Sequence, residues 1–270
     1  MSFGAGELSI IVPALVAGIL VCATHVPLGM QVLARGIVFI DLAIAQIAGC
    51  GVLLADRLGF EAEGIAVQVA ALVAALGGAL LLTWTERVFA DVQEAVIGVV
   101  FVLAATGGVL LLASNVHGGE HLRDLLVGQI LWVQPSRLVW IAVVYAAILA
   151  LWFGFRTRMP RAGFYVLFAV AVTLSVQLVG LYLVFASLIV PPLATRRMKR
   201  GRLAAAWALG VVGYACGLIA STIADLPSGP VIVWMLVAFA LVYDLIGRSW
   251  RPASAPRSTA PAGTPPASRQ

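Results

Sequence analysis

Three polar side chains near the middle of the chain have the types and spacing of a divalent-metal site. His117, Glu120 and His121 fit the H-x-x-E-H pattern, in which two imidazoles bind a metal and the carboxylate acts on metal-bound water. A zinc protease also needs a helix across the motif and a third ligand. Gly118 and Gly119 lower helix propensity, and no third ligand follows. We predict transient contact with a divalent cation, or simply a polar turn before a short helix, and rank proteolysis last.

Polar residues inside or between apolar runs add further candidates. Asp41 lies inside an apolar run, and a carboxylate in that setting faces a pathway or pairs with a neighbour such as Arg35. Gln46 in the same run either lines the pathway or makes hydrogen bonds between helices. Asp225 belongs to a proline-rich turn, where it caps the last helix or faces an entrance.

The chain has no ATP-binding motif of its own. Lys199 is the single lysine, and a phosphate-binding loop G-x-x-x-x-G-K-[ST] requires that residue type. Lys199 is followed by Arg200 within a basic run, which does not fit the pattern. Active transport would therefore need an ATPase on another subunit or an ion gradient.

The composition identifies an integral membrane protein. Of the 270 residues, 62% are hydrophobic and 11% are charged, whereas a soluble domain is nearer 45–50% apolar and about 25% charged. The net charge of +5 is better explained by basic cytoplasmic loops than by nucleic-acid binding. Cys22, Cys50 and Cys216 lie inside apolar segments and are interpreted as small buried side chains rather than a disulfide or metal set.

The apolar residues form eight long segments, each able to cross about 30 Å of hydrocarbon as a helix. The predicted segments are Ile10–Met30, Gly36–Ala55, Gly64–Thr83, Gln93–Ala113, Leu138–Phe155, Phe164–Ala194, Leu203–Ala224 and Gly229–Gly247. A shorter stretch, Leu122–Val133, predicts an interfacial or re-entrant helix. We predict an all-α polytopic membrane domain over residues 1–247 and a disordered cytoplasmic tail over residues 248–270.

The basic residues indicate the orientation, because Lys and Arg collect in cytoplasmic loops. One basic cluster at 156–161 and another at 196–202 flank the sixth segment, so a single crossing cannot keep both inside. We predict that this segment breaks near Gly180 into two short tilted helices that go out and return. Three basic residues then remain outside: Arg57, Arg123 and Arg137. The N-terminus lies outside and the C-terminus in the cytoplasm.

Five sequence motifs follow one another along the chain, namely Val26–Gly29 followed by Arg35–Ala45, Glu94–Gly98, Asp124–Leu131, Val179–Gly180 with Leu188–Arg196, and Asp225–Pro230. In this order they resemble the membrane subunit of the zinc/manganese family of metal-uptake ABC importers. The resemblance covers about residues 10–247. It implies a homodimer in the bacterial inner membrane, cytoplasmic ATPase subunits that hold ATP and Mg, and an extracytoplasmic metal-binding protein.

Two features of the sequence depart from the family pattern. The family signature in the second segment has an Asp and, four residues on, a His that are thought to line the metal path. Leu42 and Gln46 stand at those positions, and Asp41 comes one residue early. The family's short ATPase-docking helix is reduced to Arg156–Gly163, so we expect ATPase contacts there and along Arg196–Arg202.

The sequence therefore predicts a non-catalytic permease subunit of an ATP-driven importer for zinc, manganese or iron, working by alternating access. The cation-path candidates are Asp41, Gln46, His117, Glu120, His121 and Asp225. No cofactor is expected in this chain. Two alternatives stay open, namely an ABC permease for a chelated or small organic ligand and a gradient-driven carrier.

Overall fold

The computed structural model describes residues 5–60, 64–112, 130–155 and 158–249, and in these ranges all regular structure is helical. A short 3₁₀ helix spans Ile130–Trp132. The nine α-helices of these ranges are α1 (Ala5–Arg35), α2 (Ile40–Arg57), α3 (Ile65–Val88), α4 (Gln93–Leu112), α5 (Pro135–Phe155), α6 (Arg161–Val179), α7 (Leu181–Ala194), α8 (Arg202–Ala224) and α9 (Ser228–Ser249).

Seven helices of the described chain are long and apolar enough to cross a membrane, namely α1, α3, α4, α5, α6, α8 and α9. The second predicted segment forms α2, which has 18 residues but carries Asp41, Asp56 and Arg57. The sixth forms two helices, of which α7 has only 14 residues. The prediction of eight long spanning segments is therefore not confirmed. Most of the predicted interfacial helix Leu122–Val133, and the tail from residue 250 onward, lie outside the described residues.

Helix α6 is the most enclosed of the candidate spanning helices. Its buried residues, which include Phe164, Phe168, Val172 and Val179, cover most of its circumference, while Val166 and Gln177 are exposed on the remaining side. A helix that is buried over most of its surface is expected in the interior of a bundle. In contrast, α4 and α9 expose most of their apolar side chains, as expected for surfaces that face lipid.

Small residues let α1 approach α7 and α8 closely. A Cβ atom added at Gly29 would overlap the Leu188 carbonyl oxygen of α7. One added at Gly18 would overlap the Tyr214 ring of α8. Close approach through small residues is the usual way that membrane helices gain packing energy, since lipid gives them no hydrophobic driving force to associate.

The contacts between α1 and α8 define which helix ends lie together. Gly18 lies against Tyr214, whereas Cys22, one turn further along α1, lies against Gly210, one turn earlier in α8. The two helices are therefore antiparallel. The end of α1 and the beginning of α8 lie at the same end of the bundle.

Helix α6 begins at this same end of the bundle, and helix α7 finishes there. The Arg35 guanidinium at the end of α1 lies 4.3 Å from the ring centroid of Phe164 in α6. Arg202, the first residue of α8, donates from Nη2 to the Pro192 carbonyl oxygen in α7 at 3.2 Å.

Gly180 lies between α6 and α7, with φ +84° and ψ 160°. Glycine adopts this backbone conformation freely, whereas a residue with a Cβ atom would be strained there.

Candidate functional site

Asp41 lies in the first turn of α2, and its side chain is completely buried. Neither carboxylate oxygen has a hydrogen-bond partner among the described residues. The helix packs mainly against α3 and α4 and also touches α6, so the carboxylate is enclosed by protein. Its place in the first turn puts it beside the positive end of the α2 dipole, which favours a negative charge. A buried carboxylate without a partner is costly, which makes Asp41 a candidate functional position.

Gln46 does not share a face with Asp41. The two residues lie five positions apart, which is about 140° around an α-helix. The Gln46 side chain is half-buried, unlike that of Asp41. The structure therefore keeps both predicted residues on α2 but points them in different directions.

The remaining predicted residues are not brought together with Asp41. Asp225 follows α8 in the left-handed conformation with φ +51° and is exposed. It lies at the far end of α8, opposite the end where α1 leads into α2. His117, Glu120 and His121 lie outside the described residues. Within the described ranges, no group of three or more His, Cys, Asp or Glu side chains could hold a metal ion.

His25 is a buried polar residue to which the sequence analysis assigned no role. It lies in the interior of α1 and has no exposed surface. Its Nδ1 atom is 3.1 Å from the Val21 carbonyl oxygen and 3.0 Å from Thr24 Oγ1. Its Nε2 atom has no hydrogen-bond partner among the described residues. The sequence did contain a signal, because an ionisable residue inside an apolar segment is a functional candidate by default.

Two pairs of buried hydroxyl groups join neighbouring helices. Ser187 Oγ in α7 and Tyr214 Oη in α8 are 2.8 Å apart. Tyr145 in α5 forms a hydrogen bond with Ser175 in α6. All four side chains are buried, so these bonds satisfy hydroxyls that would otherwise be unpaired in the interior.

A cluster of mostly polar side chains also joins four helices, α1, α3, α4 and α6, at the end of the bundle where α1 finishes. We call Arg35, Glu86, Gln93, Arg161, Phe164 and Tyr165 the end cluster. Within it, Arg161 Nη1 lies 3.9 Å from Glu86 Oε1, which links α6 to α3. Gln93 Nε2 of α4 donates to the Leu82 carbonyl oxygen of α3 at 3.1 Å.

The start of α2 is tied to the same end of the bundle. Glu94 Oε1 of α4 accepts a hydrogen bond from the Phe39 backbone N–H at 3.2 Å, immediately before α2 begins. This contact sets the position of the first turn of α2, and therefore of Asp41. In the sequence, Glu94 is notable only as part of the Glu94–Gly98 motif, and no local pattern predicts its contact with the Phe39 backbone.

We expect Arg35→Ala to destabilise the protein. The arginine holds the end of α1 over the Phe164 ring of α6, and Arg87, at the same end of the bundle, is exposed. A cation–π contact of about 1 kcal/mol corresponds to about 3 °C in melting temperature for a protein of this size. The melting temperature of the detergent-purified protein measures the effect, and Arg87→Ala is the matched control. Equal melting temperatures for both variants would contradict the role given to Arg35.

The chain matches one protein-family model and is similar in fold to two solved structures. The family model for the ABC 3 transport family matches residues 7–162 and 150–246. PsaBC from Streptococcus pneumoniae, solved with a Fab, is similar at 23% identity and a TM-score of 0.68, with 87% of this chain and 89% of that chain covered. A metal-chelate type ABC transporter in an inward-facing conformation is similar at 14% identity and a TM-score of 0.67, with 88% and 85% covered. A search of curated protein sequences finds no significant match.

Proposed function

Because the chain belongs to the ABC 3 transport family, we propose that it is the membrane-spanning permease subunit of an ATP-driven importer for a divalent metal ion. The observation that carries this proposal is the family match, which extends over residues 7–246 in two overlapping parts. The similar folds of two ABC transporter structures support the same architecture. A gradient-driven carrier is disfavoured, because ABC permeases work with a separate ATPase.

The proposed cargo is zinc, manganese or iron. Asp41 supports a cationic cargo, since its unpaired carboxylate oxygens are suited to bind a cation or its water shell. We propose that Asp41 and Gln46 contact the cargo within the membrane. His117, Glu120, His121 and Asp225 would contact it on the outer side. A chelated or small organic ligand is the second candidate, favoured by the similarity to a metal-chelate type transporter.

The proposed partners occupy opposite sides of the membrane. Two copies of this chain would form the pathway between them. ATPase subunits holding ATP and Mg would dock on the cytoplasmic side, near Arg156–Gly163 and Arg196–Arg202, and a metal-binding protein would deliver cargo from outside. The packing of the bundle supports a common docking side, because the start of α6 and the end of α7 lie at one end.

The proposed orientation has the N-terminus outside, the C-terminus in the cytoplasm and the end cluster on the cytoplasmic side of a bacterial inner membrane. In this arrangement α6 leads outward from the ATPase side, and α7 returns to it after Gly180. A helix break at membrane depth is tolerated where protein surrounds it, and α6 is deeply buried. Closure of the ATPases would tilt α6 and α7, giving access to each side in turn.

Elemental analysis of cells tests the cargo directly. A strain without this chain and its complemented twin are grown under metal limitation, and their zinc, manganese and iron contents are compared. We expect the content of one metal to fall selectively and to recover on complementation. A strain carrying the empty vector is the control for complementation. Unchanged contents of all three metals would overturn the metal assignment and would favour the second candidate, a chelated or small organic ligand.

A further inference from the structure

We propose that His25 Nε2 is a ligand for the transported cation, at a transient site in the middle of the membrane between α1 and α7, and that this site favours zinc-like cations over manganese. The inference rests on the proposed function and makes its cargo more specific. Its basis is a buried nitrogen atom for which the described residues provide no hydrogen-bond partner.

The tautomer of His25 follows from its contacts. We place the proton of the neutral ring on Nδ1, which can then donate to the Val21 carbonyl oxygen at 3.1 Å, while the Thr24 hydroxyl donates to the Leu20 carbonyl oxygen at 3.3 Å. Nε2 of the neutral ring then carries a free lone pair. Metal-binding histidines have this arrangement, with one ring N–H donated to a carbonyl or carboxylate and the other nitrogen on the metal. The backbone of α1 thus already orients the ring as a ligand.

The position of His25 on α1 directs the ring toward neighbouring helices. Gly18, Cys22, His25 and Gly29 recur at intervals of four, three and four residues, and such positions share one helix face. Gly29 lies against α7, while Gly18 and Cys22 lie against α8. The imidazole therefore belongs to the face of α1 that packs on α7 and α8, the helices that bring Ser187 and Tyr214 together.

Cys22 is the natural second donor at this site. It lies three residues before His25, so the two side chains are neighbours on the helix surface, and it is fully buried. Imidazole and thiolate suit zinc, whereas carboxylate, carbonyl and water suit manganese. Two protein ligands are fewer than the four typical of a structural zinc site. Such a site would release its ion readily, as transport requires.

Access to His25 requires movement of α7. The histidine has no exposed surface in this conformation. Gly180 at the start of α7 has a backbone conformation that only glycine adopts without strain, and it separates α7 from the deeply buried α6. A tilt of α7 about Gly180 would separate Leu188 from Gly29 and open the α1 face to the cation.

The test uses the permease assembled with its ATPases in proteoliposomes, with Zn²⁺ and Mn²⁺ as the transported probes. His25→Asn keeps a donor near the Val21 oxygen but removes the nitrogen at the Nε2 position, whereas His25→Gln restores a polar atom there. We expect His25→Asn to lower the rate of Zn²⁺ transport by about tenfold or more, with His25→Gln intermediate and Mn²⁺ transport less affected.

A second measurement separates binding from folding. Zn²⁺ should raise the melting temperature of the purified wild-type protein, because a ligand that binds only the folded state stabilises it. We expect this rise to disappear in His25→Asn. Equal zinc transport and equal zinc stabilisation in wild type and His25→Asn would overturn the role of His25 and leave the proposed function standing.

The remaining outcomes are also decisive. A wild-type complex that moves neither metal would overturn zinc and manganese as the cargo, and the assignment of His25 with them. If His25→Asn does not fold, the ratio of zinc to manganese transport in His25→Gln tests whether His25 is a ligand. A ratio below that of wild type supports the proposed ligand, and an unchanged ratio overturns it.

Discussion

Replacing Asp41 by asparagine is expected to reduce metal uptake by about tenfold or more while the permease stays folded in the membrane. Asparagine has nearly the same shape as aspartate but no charge. The Asp41 carboxylate is buried and its oxygens lack hydrogen-bond partners in the described chain, so removing the charge relieves a burial cost. Stability should therefore be kept or improved, and the loss of uptake reflects the missing cation contact.

Asp56→Asn is the matched control for this experiment. Asp56 lies on the same helix, near its other end, and is half-buried rather than enclosed. Uptake of the metal identified by elemental analysis is measured for both variants, and size-exclusion chromatography in detergent reports the folded fraction. Normal uptake in Asp41→Asn would remove Asp41 from the proposed pathway. Equal losses in both variants would point to a general effect of charge on α2.

Gly29→Ala is expected to prevent recovery of folded permease from membranes. The added Cβ atom would overlap the Leu188 carbonyl oxygen and lie 3.1 Å from Pro192 Cγ. Ordinary overpacking costs about 1–3 kcal/mol when side chains can adjust. Here the obstacle is backbone, so α1 and α7 must separate, and the cost should lie at or above the upper end of that range.

The effect of Gly29→Ala is measured by the yield of a single symmetrical size-exclusion peak after detergent extraction. Gly77→Ala provides the matched control, since Gly77 lies within α3 and an added Cβ atom meets nothing within 4 Å. Alanine favours helix over glycine by about 1 kcal/mol, so the control should fold as well as wild type or better. Full recovery of Gly29→Ala would contradict the close α1–α7 packing.

Much of the helical layout could be predicted because apolar length is a local property of the sequence. Seven helices of the described chain meet the length and composition of a membrane span, and their positions follow the apolar runs. The eight-segment prediction treated α2 as a long span, whereas three charged residues set this helix apart. The run Phe164–Ala194, for which a break near Gly180 is predicted, forms a 19-residue helix and a 14-residue helix on either side of that residue.

The candidate site was only partly predictable, since burial and pairing depend on tertiary packing. The residue type of Asp41 and its apolar surroundings identify it in the sequence, but only the structure shows that its carboxylate has no hydrogen-bond partner among the described residues. His25 is likewise an ionisable residue inside an apolar segment of the sequence. In the end cluster, by contrast, Glu86 and Arg161 are far apart in sequence and meet only because α3 and α6 pack together. No local pattern predicts that contact.

The polarity of α2 has a consequence for how the chain is made. A helix with three charged residues gains little from entering lipid alone, since intramembrane charges are costly unless protein encloses them. Its main contacts are with α3 and α4, which are synthesised after it. We therefore expect stable integration of α2 to wait until the next two helices have emerged from the ribosome. The three helices would then enter the membrane as a group rather than one span at a time.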